Sequence, residues 1–578
     1  MNESISAHPL GIRANVLLSS VFGPFAQDDQ YGSRAINPME LYQNQVTRVQ
    51  GGFSLRMFHR SFGLMLLQSN IDAPCTVLDF PDLDRFVQEL KDKSYDIIGI
   101  SSIIPNVGKV KKMCELIRKY QPQATIVIGG HIANKAGLTD TIDADHIVKG
   151  DGVKWFRRFL GRPVDAPVSH PMAYSAFGAR ILGISLRDKP GDTAAVLVPS
   201  VGCPIGCNFC STSALFGGKG KFVNFYETGD QLFGVMCRIE NELKVKSFFI
   251  LDENFLLHRK RALRLLELMQ NHKKSWMLNV FSSARVLRSY DIDQIVGLGI
   301  GWVWMGIEGE ESQYQKLKDI DTLDLVNELQ SHGIRVLGSS IIGLEKHRPD
   351  TIDQVIDYAI SHHTDFHQFM LYTPNPGTPL YQQHLKAGDL LDESEFPAAD
   401  AHGQYRFSYR HNHIRDGEEE TFLLNAFQKD FEQNGPSLAR LIRTLLTGWQ
   451  RYKKNADPRI RERYAREVKP LRSTYAGAVR AMRKYYRHDK KLFRKMDRLL
   501  KDICQEFGWK TRLLSFPTGM FAYFNLRKEE RRLAKGWTYE PESFYEKNAA
   551  AMRLEDNTEW ISKEKKSAMT ERLIPHTP

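Results

Sequence analysis

The chain has 578 residues, too many for one ordinary domain, and its 42% hydrophobic and 25% charged content excludes a disordered or fibrous protein. No apolar stretch is long enough to span a bilayer, the first ten residues lack the basic and apolar regions of a signal peptide, and seven scattered cysteines do not make a disulfide scaffold. A reducing, cytoplasmic setting is therefore expected. The net charge of +11 is concentrated, since residues 436–515 carry about 23 Lys/Arg against about 7 Asp/Glu.

Residues 1–155 read as a Rossmann-like α/β domain. Apolar runs at Asn15–Ser20, Cys75–Phe80, Tyr95–Ser102, Ala124–His131 and a short one from His146 predict five strands. Helices fall between them at Asp82–Lys91 and Val107–Lys119, the second with Val110, Met113, Cys114 and Ile117 on one face. Such alternation predicts a doubly wound parallel sheet, whose ligands bind beyond the strands' carboxyl ends. Those ends are polar or glycine-rich: Ser101 and Ser102, then Gly129, Gly130 and His131, then Gly150 and Asp151. Residues 156–192 lose periodicity and read as a linker.

From 193 to 390 the alternation resumes, with strands expected at Ala194–Pro199, Ser247–Asp252, Trp276–Phe281, Gly301–Gly306, Arg335–Ile342 and His367–Tyr372. Six such units make a partial barrel. The loop after its first strand holds Cys203, Cys207 and Cys210, spaced C-x3-C-x2-C with Phe209 before the last cysteine. Three thiolates on one loop suit three irons of a 4Fe–4S cluster, leaving the fourth iron open to a small molecule. A zinc site would want a fourth ligand, usually in a second C-x2-C pair, and Cys75, Cys114, Cys237 and Cys504 lie far apart.

The cysteine motif resembles that of the radical S-adenosylmethionine superfamily. The segments around it resemble the subclass that carries a cobalamin-binding domain before the barrel and acts mainly in methyl transfer. That resemblance implies that the open iron binds the methionine end of S-adenosylmethionine. It also implies binding roles for Phe209, for Asp252 and Glu253 after the second barrel strand, for Ser283 and Arg285 after the third, and for Glu308 after the fourth. Ser340 and Ile341, in a G-x-I-x-G-x-x-E-like element, would flank the adenine, and Tyr372–Leu380 resembles the P-x-P-G-T-P-L loop of the subclass. The strand-end residues of the first domain (Ser101, Ser102, Gly129, Gly130, His131, Gly150 and Asp151) would face cobalamin. The D-x-H-x-x-G motif that supplies a cobalt-ligating histidine elsewhere is absent, and Gly309 stands where the family usually has serine.

Residues 391–578 are expected to form a mainly helical, basic domain. Trp449, Tyr452, Tyr464, Tyr475, Tyr485, Tyr486 and Phe493 interleave its cationic stretches. A solvated face, an anionic membrane surface and nucleic acid are the three readings of that block, and no nucleic-acid-binding module is recognisable. The resemblance implies a cobalamin-dependent radical enzyme that methylates an unactivated carbon of a small or lipid-like substrate. It would use a 4Fe–4S cluster, S-adenosylmethionine, cobalamin and an external donor of the flavodoxin or ferredoxin type. Cyclisation, rearrangement or oxidation without methyl transfer is the alternative within enzymes; a cobalamin- or redox-responsive binding protein is the alternative outside them.

Overall fold

The computed structural model describes the chain except for residues 1–5, 26–27, 33, 35–39, 41, 187–192, 309–316, 318–319, 538–539 and 555–578. Gly309 and the last part of the expected linker thus lie outside the described residues. The first sheet contains β1 (Val16–Ser19), β2 (Cys75–Asp79), β3 (Ile97–Ser101), β4 (Thr125–Gly129) and β5 (His146–Ile147) in the order β2-β1-β3-β4-β5, all parallel. Val16, Leu17, Ile97, Ile98, Ile126 and Ile128 are inaccessible, as helices on both faces require. Helix Leu83–Asp92 begins where the Asp82 carboxylate accepts from the Arg85 N–H at 2.6 Å. The strand order reverses between β1 and β3, which opens a crevice at their carboxyl ends.

The first sheet has a sixth strand that the sequence did not signal. Phe544–Lys547 pairs antiparallel with β2, from Phe544 opposite Asp79 to Lys547 opposite Thr76. Asn548 then accepts from the Cys75 N–H at 3.1 Å and donates to the Ala73 carbonyl at 2.9 Å.

The second sheet comprises β6 (Ala195–Leu197), β7 (Ser247–Ile250), β8 (Met277–Phe281), β9 (Ile300–Gly306), β10 (Arg335–Ile342) and β11 (Phe366–Leu371), parallel and in sequence order. Leu278 and Val280 turn outward onto helices, while Phe281 points inward and stacks on Trp304 with ring centroids 5.0 Å apart. Residues 42–60, unassigned from sequence because they have no period, pack into this interior. The helical turn Tyr42–Val46 sets Tyr42 against Trp302 and Phe366, and the His59 ring stacks on Phe249. Gln45 accepts from Gln368 at 2.9 Å, continuing a line of hydrogen bonds from Trp304 through Ser339.

Two other sequence expectations change. The stretch read as linker is partly ordered: Phe177–Ile181 pairs with Arg56–Phe58 and turns back into Ile184–Ser185, strands too short to show a period. The aromatics of the basic block are also not all at the surface. Tyr464 is buried, stacks on Tyr452 at 4.8 Å and donates to the His332 carbonyl at 2.5 Å. Arg463 and Arg466 donate to the carbonyls of Val296 and Ser275, and Arg335 pairs with Glu467. Part of the positive charge counted in the sequence therefore clamps the helices Ser437–Tyr452 and Pro458–Glu467 to the barrel.

Another buried clamp is Arg180, whose guanidinium grips both oxygens of Glu529 at 2.7 and 2.6 Å with each side chain under a tenth exposed. Removing one partner strands the other in a dry setting, so Glu529→Ala should cost about 3–5 kcal/mol in urea unfolding. Asp230→Ala, at the exposed pair with Arg264, should leave the midpoint unchanged.

Candidate active site

After β6, Ser200–Val201 pairs antiparallel with Val223–Asn224 and frames the cysteine loop. Gly206 has φ +66°, and a Cβ there would lie 2.4 Å from the Lys219 Cα, so only glycine lets the loop close. The Cys210 N–H donates to the Cys207 carbonyl at 3.1 Å, and the Ser213 hydroxyl donates to the Cys203 carbonyl at 3.0 Å. The Cys210 Sγ accepts from the Ser213 N–H at 3.5 Å and caps the turn Ser211–Leu215. Burial pushes the Cys203 thiol up to about 11, and Cys207, Cys210 and Glu253 push the same way. Positive charge from a bound metal group would relieve that strain. Among the described residues no three His, Cys, Asp or Glu side chains are arranged to hold a single ion. The donor set fits a polynuclear iron–sulfur group, in which each thiolate takes a different iron.

The barrel strand ends surround this loop. Asp252 is committed: its Oδ2 accepts from Ser200 at 2.5 Å and from Arg261 at 2.6 Å, and its Oδ1 from the Asn254 N–H at 3.0 Å. It anchors the turn after β7. Glu253 differs. Burial raises its carboxyl to about 7, Asp252 adds to the rise, and its buried Oε2 has no hydrogen-bond partner. Ser283 accepts from Asn254 at 3.2 Å, and the Asn254 carbonyl oxygen accepts from Ser282 at 3.0 Å, so Asn254 ties the ends of β7 and β8 together. Sequence reading gave Asn254 no role; its position between two acidic neighbours and a phenylalanine was the only signal. Arg285 is exposed on the turn Ala284–Leu287. Glu308 is buried with φ +58°, a conformation that a non-glycine residue rarely adopts. Ser340 is buried and bonded to His367 at 3.0 Å, and Ile341 joins an apolar cluster with Tyr372 and Phe407. Phe209 packs at that cluster's edge, 6.2 Å from the Tyr372 ring, and the Leu380 N–H donates to the Asn208 carbonyl at 3.0 Å. The proline-rich loop after β11 therefore braces the cysteine loop.

The carboxyl edge of the first sheet faces the same loop. His131 bonds through Nε2 to the Thr212 hydroxyl at 3.2 Å, two residues past Cys210, and burial lowers its pKa so that the ring is neutral. Thr212 had no signal in the sequence. Ser102 and Gly130 form the supporting turn: the Ser102 N–H donates to Gly129, and a Cβ on Gly130 would lie 2.5 Å from the Ser102 carbonyl. Asp151 caps helix Gly152–Phe159 through the Lys154 N–H at 3.0 Å. An apolar cleft of about 180 Å³ lies between, bounded by Leu18, Leu64, Gly99, Ser101, Gly129 and Gly150 on one side and by Val201, Leu215 and Phe216 beside the cysteine loop on the other. Gly63 and Gly129 have open space where a Cβ would stand. This cradle, with several glycines in its lining, lies at the topological switch point, where open α/β sheets take their ligands.

Residues 65–160 match the family model of the B12-binding domain. The chain is 24% identical over 328 residues to bacteriochlorophyllide d C-12(1)-methyltransferase of Chlorobaculum tepidum, covering 53% of this chain and 69% of that protein. It is 26% identical over 206 residues to the hopanoid C-2 methylase of Rhodopseudomonas palustris, covering 34% and 38%. The fold is similar to that of TsrM from Kitasatospora setae, a radical S-adenosylmethionine methyltransferase solved with cobalamin and a [4Fe-4S] cluster bound. The TM-score is 0.50 at 14% identity, over 79% of this chain and 99% of that one. The resemblance to the cobalamin-dependent radical S-adenosylmethionine enzymes is borne out, as is the order of sheet, partial barrel and helical block.

Gly129→Leu would fill the cleft without straining the backbone. Hydroxocobalamin retained after desalting should fall at least tenfold, read from the optical spectrum, while iron content stays at the wild-type level.

Proposed function

We propose that this chain is a cobalamin-dependent radical S-adenosylmethionine enzyme that methylates an unactivated carbon of its substrate. One observation carries the reading: the cleft of the first sheet is walled by Val201, Leu215 and Phe216, which flank the three-cysteine loop, and His131 bonds to Thr212 two residues past Cys210. When bound, the cluster would supply the electron that cleaves S-adenosylmethionine to methionine and a 5′-deoxyadenosyl radical, and cobalamin would carry a methyl group drawn from a second S-adenosylmethionine.

The chain's own residues hold and orient the reactants. Cys203, Cys207 and Cys210 bind three irons. Glu253, the buried carboxyl with an oxygen to spare, receives the ammonium of S-adenosylmethionine, and the approaching cation shifts it to its charged form. Asp252 and Asn254 position it from behind. Ser283, Arg285, Glu308, Ser340 and Ile341 line the rest of that pocket, with Phe209 closing its wall. Ser101, Gly129 and Gly150 hold cobalamin by leaving room for it, while Ser102, Gly130 and Asp151 shape the turns that carry them and His131 sets the rim's distance from the cysteines. The four units are residues 1–155, 156–192, 193–390 and 391–578, with the strand at 544–547 returning to the first. The electron donor is a flavodoxin- or ferredoxin-type protein. The substrate is a small or lipid-like molecule, in keeping with the bacteriochlorophyllide and the hopanoid named for two relatives. Exposed cations of the C-terminal helices offer contact with an anionic membrane.

Anaerobically reconstituted protein should contain about four irons and one cobalt per chain. Under strong reduction it should release 5′-deoxyadenosine and pass a labelled methyl group from S-adenosylmethionine to product. Deoxyadenosine without methyl incorporation would replace methyl transfer by cyclisation, rearrangement or oxidation. Cys207→Ala should lose the cluster and all cleavage. Glu253→Gln should keep its iron yet bind S-adenosylmethionine roughly 10- to 100-fold more weakly, the worth of one charge-assisted hydrogen bond; unchanged affinity would remove Glu253 from the site.

A further inference from the structure

The long helix Trp509–Leu533 is amphipathic in the wrong sense for a helix on a protein surface. Its small residues Thr511, Ser515, Gly519 and Ala522 face inward, with Leu526 below them. They fit closely against helix Thr474–Tyr485, where a Cβ on Gly477 would touch Thr518 and one on Gly519 would touch Arg480. Its large residues are turned out. Trp509, Leu513, Phe516, Phe521 and Phe524 are each 60–70% exposed, and Leu514 is 48% exposed. At 3.6 residues per turn they occupy less than half of the circumference, in a stripe about 22 Å long. A soluble surface rarely carries so large a contiguous apolar patch without a use for it.

The charges around the stripe say what covers it. Between Trp509 and Lys528 there is no acidic residue, whereas Lys510, Arg512, Arg527 and Lys528 are basic. Cations also sit over the exposed rings: Lys510 over Trp509 and Arg480 over Phe516, both at 5.8 Å, and Lys484 over Tyr523 at 4.6 Å and Phe524 at 5.8 Å. Aromatic and aliphatic side chains projecting outward, flanked by cations and met by a carboxylate only near the helix's far end, where Glu530 pairs with Arg527 at 2.6 Å, complement a bilayer with negative headgroups. No helix among the described residues is long and apolar enough to cross a membrane, so this one lies on it.

We propose that the outward face of helix Trp509–Leu533 is a monotopic docking element that seats the protein on an anionic bilayer. This deepens the membrane contact proposed above and rests on it, but moves the anchor from the basic helices to an aromatic face. The element is held rigidly, because Arg180 grips Glu529 on the same helix and Gly183 fits against its Asn525 carbonyl.

Flotation of the full-length reconstituted protein with phosphatidylcholine vesicles, with and without 30% phosphatidylglycerol, tests the assignment. The wild type should float with the anionic vesicles, and brominated acyl chains should quench a fluorescence component that is missing in Trp509→Phe. The double variant Leu513→Glu/Phe524→Glu should lose binding at least 100-fold with iron content and unfolding midpoint unchanged, since both side chains are exposed. Replacing Lys490 by serine should weaken binding only modestly, by roughly fivefold or less. A double variant that floats like the wild type would overturn the aromatic anchor; if the serine variant then fails to float, the basic helices alone make the contact. A wild type that ignores anionic vesicles overturns both readings. Elution as a dimer that the double variant converts to monomer, without flotation of either, would make a second copy of the chain the occupant instead.

Discussion

Two parallel sheets meeting at their carboxyl edges are the constraint on which the rest of this molecule depends. Each sheet alone would put its loops into solvent. Set edge to edge, they enclose a cleft whose one wall is made of glycines and aliphatic side chains and whose other wall is the frame of the cysteine loop. The contact is small, a neutral imidazole on a threonine hydroxyl with turns packed around it, yet it fixes how far the cysteines stand from the B12-binding sheet. A group on one sheet can react with a group on the other only if that distance is set before either binds, because a misplacement of an ångström costs orders of magnitude in rate.

Peripheral parts of the chain hold the edges in place. Residues 42–60 pack into the barrel's interior, where Gln45 accepts from Gln368 and His59 stacks on Phe249. The C-terminal helices are fastened from outside by arginines that reach buried carbonyls and carboxylates. Guanidinium groups suit this use, since their planar fork can satisfy several acceptors at once and stays charged when desolvated. The positive excess of residues 436–515 is thus divided between internal clamps and an outer surface.

Much of this was legible in the sequence. The five parallel strands of the first sheet and all six of the barrel fall where continuous apolar runs placed them, because strands buried on both faces have little choice of residue. The cysteine loop was legible because three thiols at that spacing have few other uses. What was not legible depends on partners far away in the chain. Asp252 and Glu253 are adjacent acids with opposite fates, one saturated by Arg261 and Ser200 and the other left with an oxygen to spare, and nothing local distinguishes them. Thr212 matters only because His131 arrives opposite it. The inverted helix after Trp509 escaped notice because its period is ordinary; only burial shows that the small side chains, not the large ones, face inward.

The strand Phe544–Lys547 carries a consequence for how the molecule is made. Its partner Cys75 lies 473 residues before Asn548, which secures the pairing. At synthesis rates of roughly 5–20 residues per second, β2 waits on the order of a minute with a bare hydrogen-bonding edge. Such an edge recruits whatever extended chain comes near. The first sheet therefore reaches its finished form last although it is translated first.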